Sequence, residues 1–308
     1  MKEILGFEAY QSEKKSAVTL GKFDGLHKGH QKLLEKICGY ASEEITSIVC
    51  AFDMSRDVLM TKEERKEHLD GVVDYLIDCP FTKELREMEA EEFIKKILVD
   101  CLHASYIVVG TDFSFGYKKR GTPDMLKEYA EVYGYQVDVI EKEKFEDKII
   151  SSTYIKELMQ EGNICLTNKL LGYSYQVRGC VEHGNALGRT LGFPTMNVAP
   201  QEKKIVPRFG VYVCDVEIDH VLYHGIGNIG VKPTVEKDSK VLVEVFVFDF
   251  QGDTYGKTVT VSFREFVRPE MKFQSIEELK KRVDADILYG KRYFSLSDSI
   301  GGAQADTQ

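Results

Sequence analysis

The chain predicts two folded units of different class: an α/β unit built on a parallel sheet, then a smaller β-rich unit that ends in a helix. Three observations carry this. From Val18 to Ile140, short apolar runs alternate with stretches whose apolar residues recur at helical spacing, as strands joined by crossover helices do. From Gln176 the period becomes two, and strands follow one another with glycines but no helix between them. Ser275-Ile276-Glu277-Glu278 then opens a last helix with a capping box, and Ile276, Leu279, Val283 and Ile287 share its apolar face. The boundary is expected between Leu171 and Gln176, giving units 1–172 and 173–308, each long enough to bury its own core.

In the first unit, the strand at Val18-Thr19-Leu20 runs through a glycine-rich turn into a helix that starts near His30 and carries Leu33, Leu34 and Ile37. The apolar run from Ile45 to Phe52 predicts a buried second strand. Thr61-x-x-Glu64 is a capping box for a helix reaching Leu69, and residues 72–77 predict a third strand. Residues 91–102 place Phe93, Ile94, Ile97 and Leu98 at helical spacing, and residues 106–109 form a fourth strand. Thr122-Pro123 caps and starts a helix through Met125, Leu126 and Tyr129, before a fifth strand at 136–140. Helices follow from Ser151 to Gly162 and from Asn163 to Leu171. In the second unit, strands at 211–216, 241–248 and 258–263 predict a small antiparallel barrel or sandwich.

Composition narrows the function classes. A net charge of -9 argues against a general nucleic-acid binder, which needs a basic face, but leaves room for a nucleotide held by local donors. The 7 cysteines are scattered without a C-x-x-C pair, which predicts reduced thiols and a cytoplasmic protein. The opening Met1–Gly6 has no apolar core for a signal peptide, and no stretch reaches the roughly 18 apolar residues of a membrane span. No membrane partner is expected.

Chemistry concentrates first in the turn from Gly21 to His30. A helix starting there aims unpaired N–H groups and a positive dipole end above the strand, a ready phosphate site. Gly21, Gly25 and Gly29 admit close approach of an anion, and His27 and His30, three apart, can face one ligand. Two imidazoles, neutral or protonated, can donate to phosphoryl oxygens as charge builds on a leaving pyrophosphate. The loop Gly110–Gly121, with Asp112, Phe113, Phe115 and the basic run Lys118-Lys119-Arg120, suits a flat ring and a phosphate, or equally a solvated surface loop. Ser151, Ser152 and Thr153 followed by Lys156 suit a triphosphate, although capping alone explains one hydroxyl.

In the second unit, Gly188-Arg189-Thr190-Leu191-Gly192-Phe193-Pro194-Thr195-Met196-Asn197 joins glycines to an arginine in a phosphate-friendly loop. Thr195 and Asn197, two apart on an extended segment, offer hard oxygen ligands on one face for Mg²⁺ against nucleotide phosphates. Glu244 is the lone acid within an apolar strand, on a face with Leu242 and Phe246; burial there suits a general base, and a glutamate on a solvent edge is the competing reading. His220 and His224, four apart as a metal pair could be, fall in a strand-turn region and match no ligand motif; with His68, His103 and His183 they are read as surface residues.

These segments resemble a known family. Gly21–His30 resembles the G-x-F-D-G-x-H-x-G-H signature of nucleotidylyltransferases that join a nucleotide to FMN, Gly110–Gly116 their G-x-D-F-x-F-G, and Ile150–Lys156 their I-S-S-T-x-I-R. Gly188–Asn197 is similar to the riboflavin kinase motif G-R-x-x-G-F-P-T-A-N, and Glu244–Phe250 to E-x-x-x-x-D-F. Asn228–Thr234, Tyr255-Gly256-Lys257 and Arg268–Phe273 match further kinase segments. From about Val18 to Phe294, the chain resembles bacterial bifunctional riboflavin kinase/FMN adenylyltransferases. Departures are Lys156 and Lys232 for arginine, Met196 for alanine, and Met54-Ser55-Arg56 where the family reads P-H-P.

The resemblance implies a Rossmann-like nucleotidylyltransferase domain followed by a riboflavin kinase barrel with a C-terminal helix. It implies riboflavin, FMN, FAD and ATP as partners, with ATP as co-substrate and Mg²⁺ as cofactor. Gly21, Phe23, Asp24, Gly25, Gly29, Ser151, Ser152, Thr153 and Lys156 would bind ATP in the first domain, and Gly188, Gly192, Phe193 and Pro194 in the second. His27, His30, Arg189 and the base Glu244 would be catalytic, and Thr195 and Asn197 would hold the metal. Asp112, Phe113 and Phe115, then Tyr255, Arg268 and Phe273, would meet flavin. Two alternatives stand beside this: an active kinase with a weakened adenylyltransferase, and a flavin-binding regulator without turnover.

Overall fold

The computed structural model describes the chain except for residues 54–56, 185–186, 234–238 and 303–308, and the side chains of Leu187, Arg189, Lys232, Pro233, Ser239 and residues 297–302. It divides into two compact units, Met1–Tyr154 and Ile155–Gln308.

The first unit begins with β1 (Lys2–Leu5), an edge strand absent from the sequence reading. Its four residues bury only Ile4, too little for a period to show. Next come β2 (Lys15–Gly21), α1 (Lys28–Tyr40), β3 (Ile45–Phe52), α2 (Lys62–Leu69) and β4 (Tyr75–Cys79). The Thr61/Glu64 capping box of α2 forms both reciprocal bonds. The third predicted strand lies later than 72–77, because Gly71 turns at φ +75° and Val72 is exposed before pairing starts at Tyr75. Short α3 (Lys83–Glu87) precedes α4 (Ala90–Glu92), which continues as a π-helical stretch, Phe93–Cys101, that buries Phe93, Ile94 and Leu98. β5 (Ala104–Gly110), α5 (Pro123–Tyr133), β6 (Gln136–Ile140) and the ribbon β7 (Lys144–Phe145)/β8 (Lys148–Ile149) complete it.

The six-stranded sheet has the order β1-β4-β3-β2-β5-β6 and is parallel throughout. Chain order runs outward from β2 through β3 to β4, then jumps back to β5 on the other side of β2. That reversal makes a crevice at the carboxyl ends of β2 and β5, where open α/β sheets bind ligands. Val18 and Leu20 of β2, Ile48 and Cys50 of β3, and Ile107 and Val109 of β5 build one core under it.

The second unit starts within α6 (Ser152–Glu161) and continues with α7 (Ile164–Leu171), ended by Gly172 in a left-handed cap. β9 (Gln176–Glu182), α8 (Leu187–Leu191), β10 (Met196–Pro200), β11 (Gly210–Ile218), β12 (Val221–Pro233), β13 (Ser239–Val247), β14 (Thr258–Pro269) and α9 (Ile276–Gly302) follow. Barrel, not sandwich, is the outcome: the six strands close in the order β10-β13-β12-β11-β14-β9, each pair antiparallel. β12 escaped the sequence reading because Gly225, Gly227 and Gly230 interrupt its apolar alternation. The cap of α9 is shifted from the expected box. Glu278 N donates to Ser275 Oγ (3.1 Å), but the Glu278 carboxylate accepts from Gln274 N (2.9 Å) rather than from Ser275.

Candidate active sites

The turn after β2 is held under strain. Phe23 (φ +47°), Gly25 (φ +84°) and Leu26 (φ +38°) take left-handed backbone, at a cost on the order of 1–3 kcal/mol for each non-glycine residue. Packing and hydrogen bonds hold it: Phe23 and Leu26 are buried, and Asp24 Oδ1 accepts from Leu59 N at 2.6 Å. Ser152 Oγ donates to Asp24 O at 2.8 Å, tying the start of α6 to this turn. Ser151 is the capping hydroxyl, its Oγ accepting from Tyr154 N (3.2 Å). Thr153 is exposed, and Lys156 lies one turn along α6, within the second compact unit.

The strained turn delivers His27 to the N-cap of α1, which starts at Lys28 rather than near His30. The His27 and His30 rings stack with centroids 3.8 Å apart. A Cβ at Gly29 would press the His27 ring at 3.2 Å, so the small residue there serves this packing. Desolvation lowers the His27 pKa to about 4; it drives His30 down as well, with the His27 charge a further cause. Of the two protonation states open from sequence, both histidines are therefore neutral at pH 7. Each Nδ1 is buried without a hydrogen-bond partner among the described residues. The helix N-terminus beside the two rings, where no side chain caps α1, fits an anionic ligand.

The lowered pKa has a stability consequence with a definite sign. Between about pH 6.5 and 4 the unfolded chain binds protons that folded His27 excludes, so stability is full above that window and falls as pH drops through it. For His27 alone the whole loss is about 3 kcal/mol. Denaturant midpoints at pH 7 and pH 5 are expected to differ less for the variant His27→Gln than for the native chain. Equal differences would refute the buried neutral state.

Phe115 is 7% exposed, sits in the core against Phe93 (centroids 5.4 Å) and pairs its backbone with Gly121 in an isolated bridge. It anchors the loop after β5. Phe113 is half-buried, stacked on Phe115 at 5.6 Å, and Asp112 is exposed and paired with Lys142 (2.7 Å). The basic run is partly engaged, since Arg120 pairs with Glu89 (2.9 Å) and Glu91 (3.4 Å). Met54, Ser55 and Arg56 lie outside the described residues.

The second site is a cavity of about 330 Å³ in the second unit. One register row places its polar residues. Glu182, Asn197, Glu244, Asn228, Val211 and Arg268 are successive cross-strand partners around the closed barrel. All but Glu182 line the cavity, joined by Thr195 just before β10. Glu244 thus sits between two asparagines on adjacent strands, half-buried at the cavity wall rather than enclosed. Gly188, Phe193, Tyr255 and Phe273 also line the cavity, whereas Gly192 and Pro194 are exposed and stand apart from it. Arg189 falls in α8, and its side chain is outside the described part.

Thr195 and Asn197 supply oxygen donors only, a set that suits Mg²⁺. Among the described residues no group of three His, Cys, Asp or Glu could hold a metal ion.

Asp286 lines the cavity without a part in the sequence reading, and Asn228 and Glu270, which line it too, had only their places in motif segments. Arg268 lines the cavity while its Nε and Nη2 grip Asp286 and its Nη1 donates to Pro269 O. Two histidines read as surface residues are engaged by rings: His183 stacks on Tyr255 (3.8 Å), and His224 stacks on Phe294 (3.7 Å) while pairing with Asp215 (2.8 Å).

Comparison with known proteins covers both units. A family model described as FAD synthetase matches residues 9–154, and one described as riboflavin kinase matches 171–294. A "Bifunctional riboflavin kinase/FMN adenylyltransferase" from Pseudomonas fluorescens is 34% identical, covering 93% of this chain and 96% of its own. The protein of the same description from Bacillus subtilis (strain 168) is 35% identical over 92% and 94%. A crystal structure described as a macrolide-efflux protein from Streptococcus pneumoniae is similar in fold, with TM-score 0.84, 32% identity and coverage of 92% and 97%. Among the described residues here, no helix is long and apolar enough to cross a membrane.

Proposed function

The chain belongs to the bifunctional riboflavin kinase/FMN adenylyltransferase family, and from that premise we propose how its residues divide two reactions. It phosphorylates riboflavin to FMN with ATP, and adenylylates FMN with ATP to FAD and pyrophosphate. We assign the adenylyl transfer to residues 1–172 and the kinase step to residues 173–308.

In the kinase cavity, Glu244 accepts the proton of the ribityl 5′-hydroxyl as its oxygen attacks the γ-phosphorus of ATP, and ADP leaves. Thr195 and Asn197 would hold Mg²⁺, which supplies charge neutralisation at the phosphates when bound. The half-buried Tyr255 and Phe273, with the apolar side of α9, bound the flavin end. Arg189 is assigned to the transferring phosphoryl group on its motif alone. The observation that carries the reading is the register row that brings Asn197 and Glu244 side by side in one cavity with Thr195.

In the first unit, the N-terminus of α1 receives the phosphates, and neutral His27 and His30 donate to the oxygens that gain charge as pyrophosphate departs from the α-phosphorus. FMN's phosphate is the nucleophile and needs no base. Of the hydroxyl run, Ser152 positions the turn and Ser151 caps α6, while Thr153 is the one open to a ligand.

The kinase assignment is tested by Asn197→Ala. The Mg²⁺ concentration for half-maximal ADP release with riboflavin is expected to rise about tenfold or more, with FAD formation from FMN unchanged. An unaltered Mg²⁺ dependence would remove Asn197 from the metal site.

A further inference from the structure

The buried ion pair between β14 and α9 is absorbed by neither reaction. Asp286 is 2% exposed, the side chain of Arg268 is 10% exposed, and both line the kinase cavity. Arg268 Nε reaches both carboxylate oxygens (3.1 and 2.9 Å) and Nη2 reaches Oδ2 (2.6 Å), a two-pronged contact that only a guanidinium makes. Arg282, one turn earlier on α9, adds a second cation at 3.2 Å. On its other side, the Arg268 guanidinium lies 6.0 Å from the Phe273 ring centroid. The pair therefore clamps the segment 268–273 between the barrel rim and the helix.

The clamp is placed at one end of the cavity. β14 is separated from β13, which carries Glu244, by β11 and β12 in one direction and by β9 and β10 in the other. Phe273, Met271, Leu279 and Val283 make the clamped side apolar, suited to a flat ring system, while the phosphoryl-transfer groups stand across the barrel. A buried pair of this kind contributes little net stability, but fixes geometry where geometry matters.

We propose that Asp286 is a positioning residue for riboflavin. It holds Arg268 and, through it, Phe273 and the segment between them, setting the width of the slot that takes the flavin ring. Arg268 acts through this contact rather than by touching flavin. The inference rests on the kinase reading of the cavity.

Three variants test it by steady-state kinetics with riboflavin and ATP: Asp286→Asn, Asp286→Ala, and the apolar pair Arg268→Met with Asp286→Leu. The apolar pair removes the two buried charges together and leaves only Arg282, whose side chain is 40% exposed to water, so it keeps the fold even where Asp286→Ala weakens it. The expected result for Asp286→Ala and for the apolar pair is a riboflavin KM raised about tenfold to a hundredfold. The ATP KM should stay within about twofold, and FAD formation from FMN should be unchanged. Asp286→Asn should fall between these and the native chain. A native riboflavin KM in all three would overturn the proposal. So would a native KM in the apolar pair alone, since the ion pair would then serve only to avoid a lone buried charge. Phosphorylation of riboflavin by the native chain, measured in the same series, decides the kinase reading separately.

Discussion

Glu244→Gln is expected to reduce riboflavin phosphorylation by roughly 10²–10⁴-fold, the range for losing a positioned general base. The amide keeps the shape of the carboxylate but cannot take the proton of the 5′-hydroxyl. Because Glu244 is half-buried and flanked across the ladders by Asn197 and Asn228, the substitution leaves β13 in register and the cavity lined as before. The loss should therefore appear in kcat, with riboflavin affinity by fluorescence quenching nearly native. FAD formation from supplied FMN should not change. A variant that retains native phosphorylation would move the base elsewhere in the cavity, with Glu270 the other carboxylate to examine because Asp286 is paired with two arginines.

The complementary result is expected at the first site. His27→Ala or His30→Ala should slow FAD formation from FMN by about 10²–10³-fold, the cost of removing one donor aimed at developing negative charge. Riboflavin phosphorylation should persist in both. Since the rings stack on each other, each alanine also removes packing; His27→Gln, which keeps a neutral donor, should recover part of the rate. Neutrality adds a discriminating detail. Burial keeps both imidazoles uncharged near pH 7, so the adenylyl-transfer rate should show no rise as pH falls from 7.5 to 6. A rate that climbed over that interval would mean that the imidazolium form does the work. Native rates in both alanine variants would separate the histidines from the chemistry.

Much of both sites was legible in local pattern. The glycine-punctuated turn with two histidines, the lone acid of an apolar strand, and the threonine–asparagine pair two apart are short-range signals; the first opens α1, and the other two share one cavity. Long-range features were hidden. The row from Asn197 through Glu244 and Asn228 to Arg268 depends on register across strands far apart in sequence, which no single segment encodes. Phe115 illustrates a different gap. Alternating aromatics in a loop have no period that tells an inward ring from an outward one, and packing against Phe93 decided it. Asp286 could have been found: it falls seven residues after Leu279 and three after Val283, an acid on the apolar stripe of α9. A buried charge on such a stripe implies a partner. β1 carried too few residues to signal itself, and β12 traded side chains for glycine.

The central claim is that one chain carries both flavin reactions at two separate sites. Its most direct measurement is a chromatographic time course of the purified protein with riboflavin, ATP and Mg²⁺, run beside a reaction started from FMN. The account predicts that riboflavin gives FMN and then FAD, with ADP released in the first step and pyrophosphate in the second. A reaction that halts at FMN, with no FAD formed from supplied FMN, would contradict it and leave the His27/His30 site without its chemistry.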